Sequence, residues 1–194
     1  MLKRIAAALA TTIAFSGPVQ AAPQGLNASH LHLWNSLERQ GVAIFINPNL
    51  ACEGQELDLD GAYFYVESEN LPVLFVCQDN RTGVDGQEVA WTANDLDTLR
   101  HEAFHYLQDC IDGDVSFTLT PFHDGDGPAP GTDDYFDVIN ALGLERAIMI
   151  ETFYREHMNA DAQVVRLEHE AFLMADIVEA GNIGETINTF CPIN

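Results

Sequence analysis

Residues 91–110, WTANDLDTLRHEAFHYLQDC, decide how the rest of the chain is read. Leu96, Leu99, Ala103 and Tyr106 recur at helical spacing, and no glycine or proline interrupts them. Thr92 with Asp95, or Asn94 with Asp97, offers an N-cap, and acidic residues sit where the helix dipole favours them. The spacing predicts a helix over residues 94–110. Within it lies His101-Glu102-Ala103-Phe104-His105. Residues four apart on a helix lie one above the other, so both imidazoles share a face.

Outward from this helix the pattern is mixed. Residues 29–40 (SHLHLWNSLERQ) carry apolar side chains at 31, 33, 34 and 37 and stop at Gly41, which reads as a short amphipathic helix. VAIFI (42–46), AYFYV (62–66) and PVLFVC (72–77) are β-branched and aromatic runs, the last two forming a hairpin around ESEN. Residues 51–61 read as irregular, and 111–134 as a long Gly-, Pro- and Asp-rich loop. Helices are expected over roughly 134–157 and 161–180, the second stopped by Gly181, with an irregular tail held by Cys191. The fold expected is α+β: a small, mostly antiparallel N-terminal sheet on the His101–His105 helix, then C-terminal helices.

Residues 1–21 read as a leader rather than as part of the fold. Lys3 and Arg4 precede the apolar run IAAALATTIAF (5–15), and Val19-Gln20-Ala21 is a small-x-small cleavage signature. The run is too short to span a bilayer. Export with cleavage near Ala21 is expected, to a secreted or periplasmic location, leaving residues 22–194 as one domain. Removing Lys3 and Arg4 takes the formal charge from −22 to −24, and no lysine remains. So acidic a surface repels nucleic acid and anionic membranes, and argues against both as partners. In an exported chain, four cysteines argue for two disulfides, with Cys52–Cys77 and Cys110–Cys191 the favoured pairing.

The chemistry follows from the helix. His101 and His105 can reach one tetrahedral zinc ion, with Glu102 offset toward a water molecule as general base. A catalytic zinc needs a third protein ligand. Gln108 and Ile111 exclude a third histidine at HExxHxxGxxH spacing, so a glutamate from a later helix is the remaining common solution.

HEAF occurs a second time at residues 169–172, inside RLEHEAFLMADI. With Glu168, Ala171 and Ala175 this stretch resembles the downstream ExxA helix of gluzincins, the glutamate-ligand branch of the zincin superfamily of HExxH metallopeptidases. The resemblance covers residues 101–105 and 168–175 only. It implies a zincin-like fold, a zinc-dependent peptidase acting on peptides or proteins, and Glu168 as third ligand. Phe172 departs from the Asp or Asn usual after that alanine, which leaves Glu170 as a rival ligand.

Other residues carry weaker signals. Tyr154 and His157 are candidates to stabilise a tetrahedral oxyanion, with core packing the plainer role for Tyr154. His169 reads as supporting or exposed, and His30 and His32 as structural or exposed. Asp124-Gly125-Asp126-Gly127 with Asp133-Asp134 could hold calcium, but they lack EF-hand spacing and its terminal glutamate, so a solvated acidic loop is the better reading. An alternative function keeps the fold without peptidase activity, as a secreted binding or structural module. The retained Glu102 argues against it.

Overall fold

The computed structural model describes residues 23–53, 59–82, 87–111, 113, 115, 118–121 and 133–191, the side chains of residues 50, 133 and 134 excepted. The expected leader and the acidic stretch Asp124–Gly127 lie outside the described residues.

Helix α1 (Ala28–Arg39) begins at Asn27, whose side chain accepts from the His30 N–H, and leads into strand β1 (Ala43–Ile46). A short helix α2 (Asn49–Cys52) follows, then β2 (Gly61–Val66), a 3₁₀ turn at Glu67–Glu69 and β3 (Leu71–Val76). Asn70 closes that turn in the left-handed region at φ 52°. The 62–77 hairpin is as the sequence predicts.

The sheet is mixed rather than mostly antiparallel. Its order is β1-β3-β2, with β1 parallel and β2 antiparallel to β3. Ile46 and Gly61 both register with Val76, on opposite sides of β3. The chain between β1 and β2 therefore crosses the end of the sheet instead of turning back as a hairpin. The Cys52–Cys77 disulfide ties that crossing to the end of β3. β3 is central and covered on both faces, which is why it reads as an unbroken apolar run. Ile44, Ile46, Leu74 and Val76 face the main core, while Phe45, Phe64, Phe75 and Cys77 form a smaller cluster on the other face. The period-2 alternation of a strand produces this division.

Helix α3 (Ala93–Cys110) packs on the main-core face with Leu99, Ala103, Phe104, Tyr106 and Leu107 buried. Its start is a full capping box: Thr92 Oγ1 accepts from the Asp95 N–H while Asp95 accepts from the Thr92 N–H. Asp95 also accepts from the Asp79 N–H, fastening the helix to the chain leaving β3.

The single helix expected over 134–157 is two. Helix α4 (Asp133–Leu142) ends at Gly143, whose φ of +83° favours glycine, and α5 (Leu144–Met158) resumes beyond it. Helix α6 (Ala162–Ile177) starts at Asp161, which accepts from the Gln163 and Val164 N–H groups. It stops at Val178, earlier than expected. Gly181 is no stop: the tail forms helix α7 (Ala180–Phe190). Ala180, Ile183, Gly184 and Ile187 supply a buried stripe at helical spacing. The glycines serve close packing on α1. The Gly181 N–H donates to Ser29 Oγ, and a Cβ at Gly184 would stand 3.1 Å from Leu33 Cα. Cys191, just past α7, is joined to Cys110 at the end of α3. No described helix is long and apolar enough to cross a membrane.

Candidate metal centre

Helix α3 carries three of the site residues and α6 the fourth. His101 and His105 sit one turn apart, both buried, with ring centroids 4.7 Å apart. Their Nε2 atoms are 3.1 Å apart. Glu168, reaching over from α6, places Oε2 3.2 Å from His101 Nε2 and 3.4 Å from His105 Nε2. These three atoms form a nearly equilateral triangle. A tetrahedral ion bound at 2.0–2.1 Å requires ligand atoms about 3.3 Å apart, so the triangle has the dimensions of one face of such a tetrahedron.

The donor set also suits a cation. His105 Nδ1 lies 2.7 Å from Gln108 Oε1, an acceptor, so the ring proton resides on Nδ1 and the Nε2 lone pair faces His101 and Glu168. Two nitrogens and a carboxylate oxygen this close require a proton or a metal ion among them. With a proton, burial pulls the His105 imidazole down, but the facing Glu168 carboxylate outweighs it and pushes His105 up to about 9. Burial likewise pushes Glu168 up, and the two imidazoles overcome it, holding the carboxyl well below the usual carboxylate range. The residues present fit a metal ion.

Glu102 joins the two histidines from the same helix, its carboxylate within 4.8 Å of the ligand atoms of both, close enough for the three to hold a metal ion as well. Strand β2 holds it from the other side, because the Tyr63 backbone N–H donates to it. Gly61 makes this approach possible, since a Cβ there would meet Thr98 Cγ2 at 2.6 Å and Glu102 Cγ at 3.2 Å. Burial pushes the Glu102 carboxyl up, against the pull of both histidines. A buried carboxylate with a raised affinity for protons is what a general base requires.

The four residues lie in the floor of a cleft of about 400 Å³ whose walls are β2, α5 and α6. A second hollow shares Leu59, Gly61, His101, Glu102 and Tyr154 with it. Among the described residues β2 is an edge strand, and it runs along the cleft from Gly61 to Tyr65. Tyr154 lines both hollows and its hydroxyl hydrogen-bonds the Glu168 side chain; burial, then the Glu168 and Glu102 charges, push its pKa far up. His157, by contrast, is exposed against Phe153 and lines neither hollow, because the last turn of α5 carries it outward.

The second HEAF divides by residue. Glu170 is buried and accepts from Gln108 Nε2 at 2.6 Å. His169 is buried rather than exposed, donating from Nε2 to the Ala147 carbonyl and accepting at Nδ1 from Tyr135. It joins α6 to α5 and α4. Phe172, where an Asp or Asn is usual in the resembling families, packs its ring 4.3 Å from that of His101. His30 is buried and capped by Asn27, away from this site.

Sequence reasoning missed Gln108 and the buried pair of the Tyr63 hydroxyl with Asp109. Gln108 had a signal available: it stands three residues after His105, on the same helix face. Compared with models of protein families, with curated proteins and with solved structures, the chain matches none of them.

Proposed function

We propose that this protein is an exported zinc-dependent metallopeptidase of the gluzincin kind. The observation that carries the reading is the triangle of His101 Nε2, His105 Nε2 and Glu168 Oε2, 3.1–3.4 Å on each side, with the buried Glu102 carboxylate next to it. His101, His105 and Glu168 would hold the ion. Zinc there would supply Lewis acidity, polarising a carbonyl and lowering the pKa of water to about 7.

The chain's own groups do the rest. Glu102 takes a proton from water and returns it to the leaving amine; its raised proton affinity suits both halves of that cycle. The edge of β2 offers backbone groups to an extended peptide lying along the cleft. The Tyr154 hydroxyl, hydrogen-bonded to Glu168, would donate to negative charge developing on the carbonyl oxygen. Two disulfides support a location in an oxidising compartment.

The test separates binding from chemistry. Purified protein should contain one zinc per chain and cleave members of a broad peptide library. Glu102→Gln should keep the zinc and lose at least about 100-fold in hydrolysis, the lower end of what general base catalysis contributes. Absence of stoichiometric zinc would sink the reading. Zinc without cleavage would point instead to a binding module on the same scaffold.

A further inference from the structure

Gln108 is buried between the two helices that carry the site, and every polar atom of its side chain is engaged. Nε2 is 2.6 Å from Glu170 Oε2 and 3.2 Å from the Leu167 carbonyl oxygen. Both are acceptors, so the amide can be oriented only one way. Its oxygen must then face His105 Nδ1, at 2.7 Å. That orientation in turn permits one tautomer, with the proton on Nδ1 and the lone pair of Nε2 directed at His101 and Glu168.

The same amide fixes a second coordinate. The carbonyl it grips belongs to Leu167, the residue before Glu168, so the bond sets the height and rotation of α6 at the third ligand. Gln108 thus spans from the ring of one ligand to the backbone of another. Glu170 supplies the acceptor that prevents the amide from rotating.

Resting on the zinc reading above, we propose that Gln108 is a positioning residue for the metal centre. It aligns His105 with Glu168, and Glu170 acts through it. The glutamate that rivals Glu168 in the sequence is, on this reading, the anchor behind the ligand set. Partners of ligating histidines that fix ring orientation are typically worth about 10–100-fold in metal affinity. His101 has no equivalent, since its Nδ1 is buried without a hydrogen-bond partner among the described residues and its ring rests on Phe172.

The experiment measures zinc dissociation constants by chelator competition on the full chain, with thermal melts of the metal-free protein alongside. Gln108→Ala should weaken zinc binding about 10–100-fold. Glu170→Ala should weaken it in the same direction but less, because the Leu167 carbonyl still holds the amide. Glu170→Gln should restore affinity to within about threefold of wild type, since its amide oxygen can still accept from Gln108. Cobalt(II) spectra should shift in Gln108→Ala and Glu170→Ala and not in Glu170→Gln. A merely structural role would lower the melting temperature while leaving affinity and spectrum unchanged, and that result overturns the proposal. Should Gln108→Ala fail to fold, wild-type affinity in Glu170→Ala overturns it equally. Wild-type protein that binds no zinc would remove the metal reading itself, an outcome distinct from a variant that binds as well as wild type.

Discussion

Adjacent residues in α6 do unrelated work, and single substitutions should separate them. Glu168 faces two imidazoles, whereas His169 turns to Tyr135 and the Ala147 carbonyl. Glu168→Ala removes a proposed ligand and should weaken zinc binding by at least about 100-fold, beyond the range for outer partners. His169→Ala deletes one buried and one part-buried hydrogen bond and leaves a void, which should cost about 2–4 kcal/mol of stability. Its zinc affinity should stay within about threefold of wild type. Chelator competition and urea denaturation on both variants check the division; equal zinc losses would refute it. The first HEAF was legible because its ligands share one helix face by spacing alone. The choice between Glu168 and Glu170 was not, because it depends on how far α6 is rotated against α3. That rotation is set by Ala171 in the core and by Gln108 gripping Leu167, contacts between residues some sixty positions apart.

Elements formed where local signals agreed and shifted where tertiary packing overrode them. The capping box of α3 and the hairpin from β2 to β3 were readable, since each is fixed by residues a few positions apart. The parallel pairing of β1 was not, because it depends on where the chain between Asn47 and Asp60 crosses the sheet. Gly181 and Gly184 misled in the opposite sense. Glycine weakens an isolated helix, yet here it permits α7 to lie directly on α1. Gly184→Val is therefore expected to destabilise. Its Cβ would crowd Ser36 Oγ at 3.0 Å, Leu33 Cα at 3.1 Å and His32 Cδ2 at 3.2 Å. Overpacking of this kind costs about 1–3 kcal/mol. The midpoint of urea unfolding should fall accordingly, while an unchanged midpoint would mean that α1 and α7 can separate freely.

Across the whole molecule, the helix that carries His101 and His105 is secured at both ends by means the sequence only partly disclosed. At its start, the capping box is tied back to Asp79; at its end, Cys110 is joined to Cys191 beyond α7. Between these anchors lie His101 and His105, so the second disulfide restrains the helix that carries the site as well as the tail. The two bridges differ in the chain they enclose. Cys110–Cys191 spans a sequence separation of 81 and Cys52–Cys77 one of 25. If each acts chiefly by restricting the unfolded chain, the longer loop stabilises more, by about 1 kcal/mol. Replacing Cys110 and Cys191 together with alanine should cost about 2–4 kcal/mol. At roughly 2–4 °C per kcal/mol for a chain of this size, the melting temperature should drop by about 10 °C. The Cys52/Cys77 pair replaced in the same way should cost less. Zinc adds a further check, because a ligand at 100 times its dissociation constant stabilises by about 2.7 kcal/mol. Zinc should therefore raise the melting temperature of both double variants, and raise it least in Cys110/Cys191→Ala, where the histidine helix has lost its distal anchor. An equal zinc-induced rise in the two would show that the site holds its shape independently of the tail.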